Sequence, residues 1–461
     1  MTAISASIPT TDQYPLVEIQ ATELYGNALI ASQDIHPGIC GKEVFREKAL
    51  IVFPPRGTAG DKSGPEPWTD DCALLQAQSW TDYWYFQQQS NDIQAKIMGL
   101  YADMDEDLSR IMRTYIQKNT SMDPSMIDTF LQLLLIKKFN VVNVQPPAAD
   151  GSGCGKRYGN GLYHVACRLT HSCHPNCTWF SSQDGTEKIV RVLRPILAGD
   201  ILSIDYLGGQ YKSQPIDVRR DKLQATKMFE CHCERCGSDK DDTRRFACHI
   251  EGCSGVHFAA CSIGTSNRLL DCTICGTSPS DEFMETMLRK EEEASTMQSS
   301  LEIQNSPLHP LHGLGVRHFE RRQAHYHNMG DLQKATKCQE QKIACVEAIF
   351  GEDHRDESAG FDYETLGDDL RDCHDLEKAE SAYQTAIHCF QIAYGDVSHP
   401  YYKCAIDKLL SLQAQLGEDA LTTPGRCRLC GMATTQQECH DEWYCCMDHR
   451  MAHNYKREDL H

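Results

Sequence analysis

At 461 residues the chain is too long for one compact core and is read as several domains. Asp and Glu outnumber Lys and Arg, 65 to 45, and the net charge of −20 argues against direct nucleic-acid binding, which usually needs a basic face. No run approaches the roughly 20 apolar residues of a membrane-spanning helix, and the first residues carry no basic, apolar leader.

The expected compartment is therefore intracellular, nucleus and/or cytoplasm, with no membrane partner. Thiols stay reduced there, so 24 cysteines in paired spacings point to zinc more than to disulfides. An acidic surface suits basic partners such as lysine-rich tails; acidity also simply keeps a protein soluble.

In chain order, Val17–Gln20, Ala28–Ser32 and Leu50–Phe53 are short apolar runs expected to be strands, interrupted by Pro37-Gly38. Residues 54–70 are rich in Pro, Gly and charge and read as a loop. Helical spacing runs through 71–140, clearest at Ile127, Phe130, Leu131, Leu134 and Leu135. Strand character returns over 140–210, with a Gly-rich loop at 150–161.

From about 300 to 416 the chain reads as helical and repeats itself. Asp331-Leu332-x-Lys334-Ala335 recurs 44 residues later as Asp375-Leu376-x-Lys378-Ala379, and Cys345/Cys389 and Gly351/Gly395 keep that offset. His309, His354 and His399 follow one another at 45. Such a period predicts stacked helical hairpins of tetratricopeptide type. They would offer a surface to a peptide or protein partner, or simply buttress the rest.

Cysteine spacing supplies the metal candidates. Cys231-x-Cys233-x2-Cys236 is one group; Cys248-x4-Cys253 with Cys272-x2-Cys275 has zinc-ribbon spacing. Cys261 lies between the two halves of the second and is either a ligand or a spare thiol. A last group holds Cys427, Cys430, Cys439, Cys445, His449 and His453.

Three segments carry a family resemblance. Leu162–Cys177 contains Thr170-His171-Ser172-Cys173-His174-Pro175-Asn176; Gly199–Leu207 contains Ser203-Ile204-Asp205-Tyr206; Phe229–Cys236 begins Phe-Glu-Cys-His-Cys. In this order they resemble the core of a SET domain, as in the SET-and-MYND protein-lysine methyltransferases. The resemblance implies an α+β multidomain chain, with a β-rich pseudoknotted SET fold interrupted by helices. The expected divisions are 16–58 and 140–227 for the SET domain, 59–139 for the helical insertion and 228–285 for a post-SET and zinc-ribbon-like region. A helical repeat array at 286–418 and a MYND-like finger at 419–461 complete the chain.

The resemblance also implies S-adenosylmethionine and zinc as cofactors and a lysine-bearing protein, histone or other, as substrate. Tyr206 matches the catalytic tyrosine. Phe229 matches the aromatic that packs on adenine, and His171 a histidine contributing to the cofactor pocket. Asn140 resembles the asparagine near the methionine moiety. Gly26-Asn27-Ala28 resembles a Gly-x-Gly whose backbone passes the cofactor. Asn176 matches a brace of the knot-like crossing.

Cys173 would complete the Cys231, Cys233, Cys236 site. Cys427, Cys430, Cys445 and His449 would make one site of the finger. Cys439 and His453 fit a second, with His440 and His461 as candidates to complete it, since Glu442 stands where that pattern has a cysteine. The finger comes last in this chain, whereas in the family it is inserted in the SET domain. Thr170 stands where the family has Asn, and Ala28 replaces the second glycine. If these changes remove cofactor binding, the alternative is an adaptor that recruits partners through its repeats and finger.

Overall fold

The computed structural model describes residues 14–22, 25–38, 41–53, 77–102, 106–119, 122–148, 159–261, 268–296 and 308–416. The expected loop at 54–70, most of the Gly-rich loop and the whole finger, with Cys427, Cys430, Cys439, Cys445, His449 and His453, lie outside them. Two compact units are present. The first draws on Met1–His36, Lys42–Thr170 and Trp179–Leu202, and the second on Pro37–Gly41, His171–Thr178 and Ser203–His461.

The first unit combines small antiparallel sheets with a helical layer. β1 (Val17–Thr22) and β2 (Gly26–Ala31) form a hairpin, Val17 facing Ala31 and Thr22 facing Gly26. β3 (Lys42–Lys48) is a strand that composition hides, because five of its seven residues are charged, one of which, Glu47, turns inward. Val44 and Phe45 are its buried apolar residues. β4 (Ile51–Phe53) lies at one edge of a three-stranded sheet.

Four helices follow: α1 (Ala77–Gln87), α2 (Asn91–Met98), α3 (Glu106–Asn119) and α4 (Pro124–Asn140). Ser90 and Asp123 cap α2 and α4, and Pro124 opens α4, where its missing N–H costs nothing. Phe53, Tyr83, Phe86, Ile97, Ile116, Ile127, Phe130, Leu133 and Ile136 bury one another between helices and sheet. β5 (Val142–Val144) and β6 (Gly159–Leu162) complete the sheet in the order β4-β6-β5.

The chain leaves the first unit within β7 (Thr170–His171) and returns within β8 (Cys177–Ser181). β9 (Glu187–Val192) then pairs with β3, with a bulge between Glu43 and Phe45. The buried Glu47 carboxylate accepts the backbone N–H groups of His164, Val165 and Ala166 at 2.8 to 3.0 Å. Burial outweighs these bonds and raises its pKa.

In the second unit come β10 (Ser203–Ile204), α5 (Gly209–Lys212), α6 (Ile216–Lys227) and α7 (Glu234–Gly237). β11 (Lys240–Ala247) and β12 (Val256–Ala260) form an antiparallel hairpin, bulged between Asp241 and Arg245. α8 (Asp281–Thr296) contributes Phe283, Met284, Met287 and Leu288 to a core with Phe246, Leu269, Leu308 and Leu314.

One buried ion pair joins α8 to the hairpin. Arg244 grips Glu291 with two bonds of 2.8 and 2.6 Å, and His312 Nε2 lies 3.2 Å from the same carboxylate. Burial opposes ionisation of Glu291, but the His312 and Arg244 contacts prevail and lower it from 4.5 to about 2. A carboxylate depressed in the folded state stabilises above its unfolded pKa and loses that contribution as pH falls. Raising the pH from 2 to 5 is therefore expected to add about 3 kcal/mol through this group. Urea unfolding of the protein and of Glu291→Gln across that range checks it; an equal pH slope in both would refute the assignment.

The helical array comprises α9 (Leu314–Asn328), α10 (Leu332–Phe350), α11 (Glu357–Asp372), α12 (Leu376–Tyr394) and α13 (Pro400–Leu416). The sequence repeat is visible in the backbone. α10 and α12 are both 19 residues long, and their capping residues Asp331 and Asp375 have φ, ψ of −87°, 71° and −89°, 71°. The residue before each cap is left-handed: Gly330 at φ 75°, and His374 at φ 61°, where glycine would be the relaxed choice. Cys345 and Cys389 are both fully buried. The spaced histidines do not share a role: His354 lies 3.2 Å from Asp356, whereas His399 stacks on Tyr394 with centroids 3.7 Å apart. No helix among the described residues is long and apolar enough to cross a membrane.

Candidate functional site

Cys173, Cys231, Cys233 and Cys236 come together in the second unit, all buried, with their sulfurs within 4.8 Å of one another. Cys173 arrives from the segment after β7, Cys231 and Cys233 from the turn between α6 and α7, and Cys236 from α7 itself. Cys173 and Cys236 sulfurs are 3.6 Å apart. A tetrahedral zinc with bonds of about 2.3 Å has sulfurs about 3.8 Å apart, so the four fit a closed zinc site. Hydrogen bonds within the group, from Cys173 first, hold the Cys233 thiol well below its usual range, while those from Cys231, Cys233 and Cys236 push the Cys173 thiol up.

Arginines surround the cluster, a feature cysteine spacing does not reveal. Arg219 is buried and directs Nη2 at the Cys236 sulfur, 3.6 Å away. Burial disfavours its charge, yet Cys173 and Asp241 outweigh that and raise its pKa. Arg220 donates to the carbonyls of Cys231 and Cys236, and Arg235 to those of Cys173 and Lys212. A tetrathiolate zinc bound here would carry net negative charge, which these cations would offset.

His171 links this cluster to Tyr206. Its Nδ1 accepts the Tyr206 backbone N–H at 3.1 Å, which places the ring proton on Nε2. Nε2 lies 3.3 Å from the Cys173 sulfur and so donates to it. Burial lowers the His171 pKa, in keeping with a neutral ring. Both nitrogens are thus used within the protein. The polar atoms of His171 thus join the Cys173 sulfur to the Tyr206 backbone. The His171 ring lies 5.4 Å from that of Tyr206 and 6.2 Å from that of Phe229.

Phe229 follows Met228, the left-handed C-cap of α6 at φ 60°, which turns the chain toward Cys231. Tyr206, Tyr211 and Phe229 are half-buried and pack on the cysteine cluster. Asn176 Oδ1 accepts both the N–H and the hydroxyl of Ser203, at 2.8 and 3.2 Å, bracing the segment after β7 against β10.

The remaining candidates lie in the first unit. Gly26 takes φ 61° with open space around it, a backbone conformation that favours glycine. Asn27 is exposed. Ala28 is completely buried in regular β2, so its methyl group enters the core with no positive φ to strain it. The Thr170 hydroxyl donates to the Leu202 carbonyl at 3.2 Å. The Asn140 side-chain amide donates to the carbonyls of Tyr101 and Ile136 at 2.7 and 2.8 Å.

A second four-cysteine group, Cys248, Cys253, Cys272 and Cys275, also has its sulfurs within 4.8 Å of one another. Cys248 and Cys275 are 3.7 Å apart, as are Cys253 and Cys272. Cys248 accepts the N–H of Ile250, and Cys253 that of Gly255, so the backbone turns around the sulfurs. Cys261 packs instead with the first cluster, and burial raises its thiol to about 12.

Comparison with known proteins agrees with this geometry. The SET domain family model matches residues 26–207. A SET and MYND domain-containing protein of Dictyostelium discoideum is 30% identical over 137 residues, 29% of this chain and 26% of its own. Histone-lysine N-methyltransferase SMYD3 of Mus musculus is 31% identical over 160 residues, 32% of this chain and 34% of its own. Protein-lysine N-trimethyltransferase SMYD5 of Mus musculus is 24% identical over 123 residues, 27% of each chain. The matches thus span about a quarter to a third of these relatives. Residues 26–207 are therefore a SET domain, similar to those of the SET-and-MYND proteins.

Proposed function

We propose that the protein is an S-adenosylmethionine-dependent protein-lysine N-methyltransferase acting on a histone or another protein, with Tyr206 as its catalytic residue. The observation that carries this reading is the His171 strut, which ties the Tyr206 backbone to the Cys173 metal ligand. A tyrosine held this way keeps one orientation, as a positioned catalytic hydroxyl requires. The matched SET domain and its methyltransferase relatives support the reaction class.

The bound cofactor supplies a methyl group on a sulfonium. The Tyr206 hydroxyl accepts a hydrogen bond from the lysine amine and so orients its lone pair. That amine must be neutral to attack, which at pH 7 costs about 4–5 kcal/mol for an ordinary lysine. Aromatic surroundings such as Tyr206 and Phe229 exclude water and lower that cost. The part-exposed Phe229 ring fits a cofactor held by aromatic contact. By resemblance, Gly26, Asn27, Ala28, Asn140, Thr170 and His171 are its other neighbours. Zinc at the two four-cysteine groups holds the segments around Tyr206 and after α7, and the acidic chain favours a basic substrate segment.

Calorimetric titration of S-adenosylmethionine into the zinc-replete full chain is the test. Micromolar binding, weakened at least tenfold in Phe229→Ala, is the expected result; no binding by the folded protein rejects the reading.

One observation favours the adaptor alternative. The Thr170 hydroxyl and the Asn140 amide donate to backbone carbonyls. Thr170→Asn is expected to tighten cofactor binding severalfold if the pocket is merely weakened. A pocket that still binds nothing in that variant turns the assignment to partner recruitment by the helical array.

A further inference from the structure

Beside the second four-cysteine group lies a further set of donors. The ligand atoms of Cys248, His249 and His257 are all within 4.8 Å of one another. His257 stands in β12 and is fully buried. Its Nδ1 lies 2.8 Å from the Leu270 carbonyl oxygen. A carbonyl only accepts, so the ring proton is on Nδ1 and the lone pair on Nε2. That Nε2 is buried and has no hydrogen-bond partner among the described residues. A buried polar atom left bare is costly and calls for an explanation.

Metal-bound imidazoles are held in this manner: one nitrogen donates to a carbonyl, which fixes the tautomer and aims the other at the ion. His249 stacks on His257 with centroids 5.5 Å apart and an interplanar angle of 22°. Phe283 of α8 lies against both rings, at 4.9 and 5.6 Å. His257 is thus oriented from inside, while His249 is exposed and reaches the same point from the solvent side.

We propose that Cys248, His249 and His257 bind a second metal ion beside the ion of the four-cysteine group, with the Cys248 thiolate bridging the two. This rests on the reading of that group as a zinc site. The new donor set is two imidazoles and one shared thiolate. It suits zinc, and cobalt or copper when these are supplied. Its fourth position faces solvent through exposed His249, so the ion is exchangeable, unlike one closed in by four thiolates.

The test uses the full chain, loaded anaerobically with excess Co2+ and desalted. Metal per chain is measured by mass spectrometry and the thiolate-to-cobalt charge-transfer band by absorption. His257→Ala and, as a variant at an exposed position, His249→Ala are each expected to hold one ion fewer than the unaltered protein, with the tetrathiolate band retained. Equal metal content in all three proteins overturns the proposal. So does a fall in the tetrathiolate band, to which the Cys173 cluster contributes independently, together with loss of the ion, because one shared ion then accounts for both donor sets at Cys248. Cys253→Ser separates this from the underlying reading: content unchanged by Cys253→Ser refutes the four-cysteine site, whereas content unchanged by His249→Ala refutes only the second ion.

Discussion

Tyr206→Phe is expected to lower methyl transfer at least a hundredfold while the protein keeps its fold and its affinity for S-adenosylmethionine. The substitution removes one oxygen. The ring still packs on the cysteine cluster, and the bond to His171 uses the Tyr206 backbone N–H, which Phe retains. What disappears is a hydroxyl that orients the amine as the methyl moves. Loss of one such preorganised group costs about 3–4 kcal/mol in the transition state, or two to three orders of magnitude in rate. Single-turnover kinetics at saturating cofactor, with circular dichroism as the folding control, reads the effect. Full activity would falsify the role given to Tyr206.

The second large effect is expected at a residue the reaction never touches. Cys173→Ser should remove one zinc per chain, lower the stability of the second unit by more than about 4 kcal/mol and abolish methyl transfer. Three attachments change at once: the metal loses a ligand, the His171 Nε2 loses its thiolate, and the segment after β7 loses its anchor beside Cys231, Cys233 and Cys236. A serine hydroxyl is too short and too hard a donor to replace a thiolate on zinc. Zinc content, thermal unfolding and activity are measured together. Retention of zinc and stability with activity alone lost would show that Cys173 is not a structural ligand.

How much was legible follows from the chemistry of each segment. Cysteines announce themselves because a metal fixes their spacing: Cys231, Cys233 and Cys236, and the Cys248, Cys253, Cys272, Cys275 set, were readable in this way, whereas Cys173 entered only through the family resemblance. The helical array was legible because its faces repeat, and the 44-residue offset reappears as equal helices whose N-cap backbones match. β3 was hidden because Lys42, Glu43, Arg46, Glu47 and Lys48 mask a strand that buries Val44 and Phe45. Glu47 reads as a surface charge in sequence, yet it is buried against three N–H groups more than a hundred residues away.

The histidines were the hardest. Nothing local to His171 or His257 says which nitrogen carries the proton; that is set by Tyr206 and Leu270, distant in sequence. Arg219 could not be assigned either, because its partner Cys236 is 17 residues away and the need for positive charge arises only once four sulfurs converge. Ala28, which stands where the resemblance has a second glycine, is completely buried in β2.

The wide separation of the first cluster's ligands bears on synthesis at the ribosome. Cys173 lies 63 residues before Cys236. At translation rates of about 5–20 residues per second, it emerges roughly 3–13 s before its last partner. During that interval its thiol is unprotected, and while it holds a wrong metal or is oxidised it is not free to join Cys231, Cys233 and Cys236. Zinc supply in the translating cell would then govern the yield of native protein as well as the occupancy of the finished one.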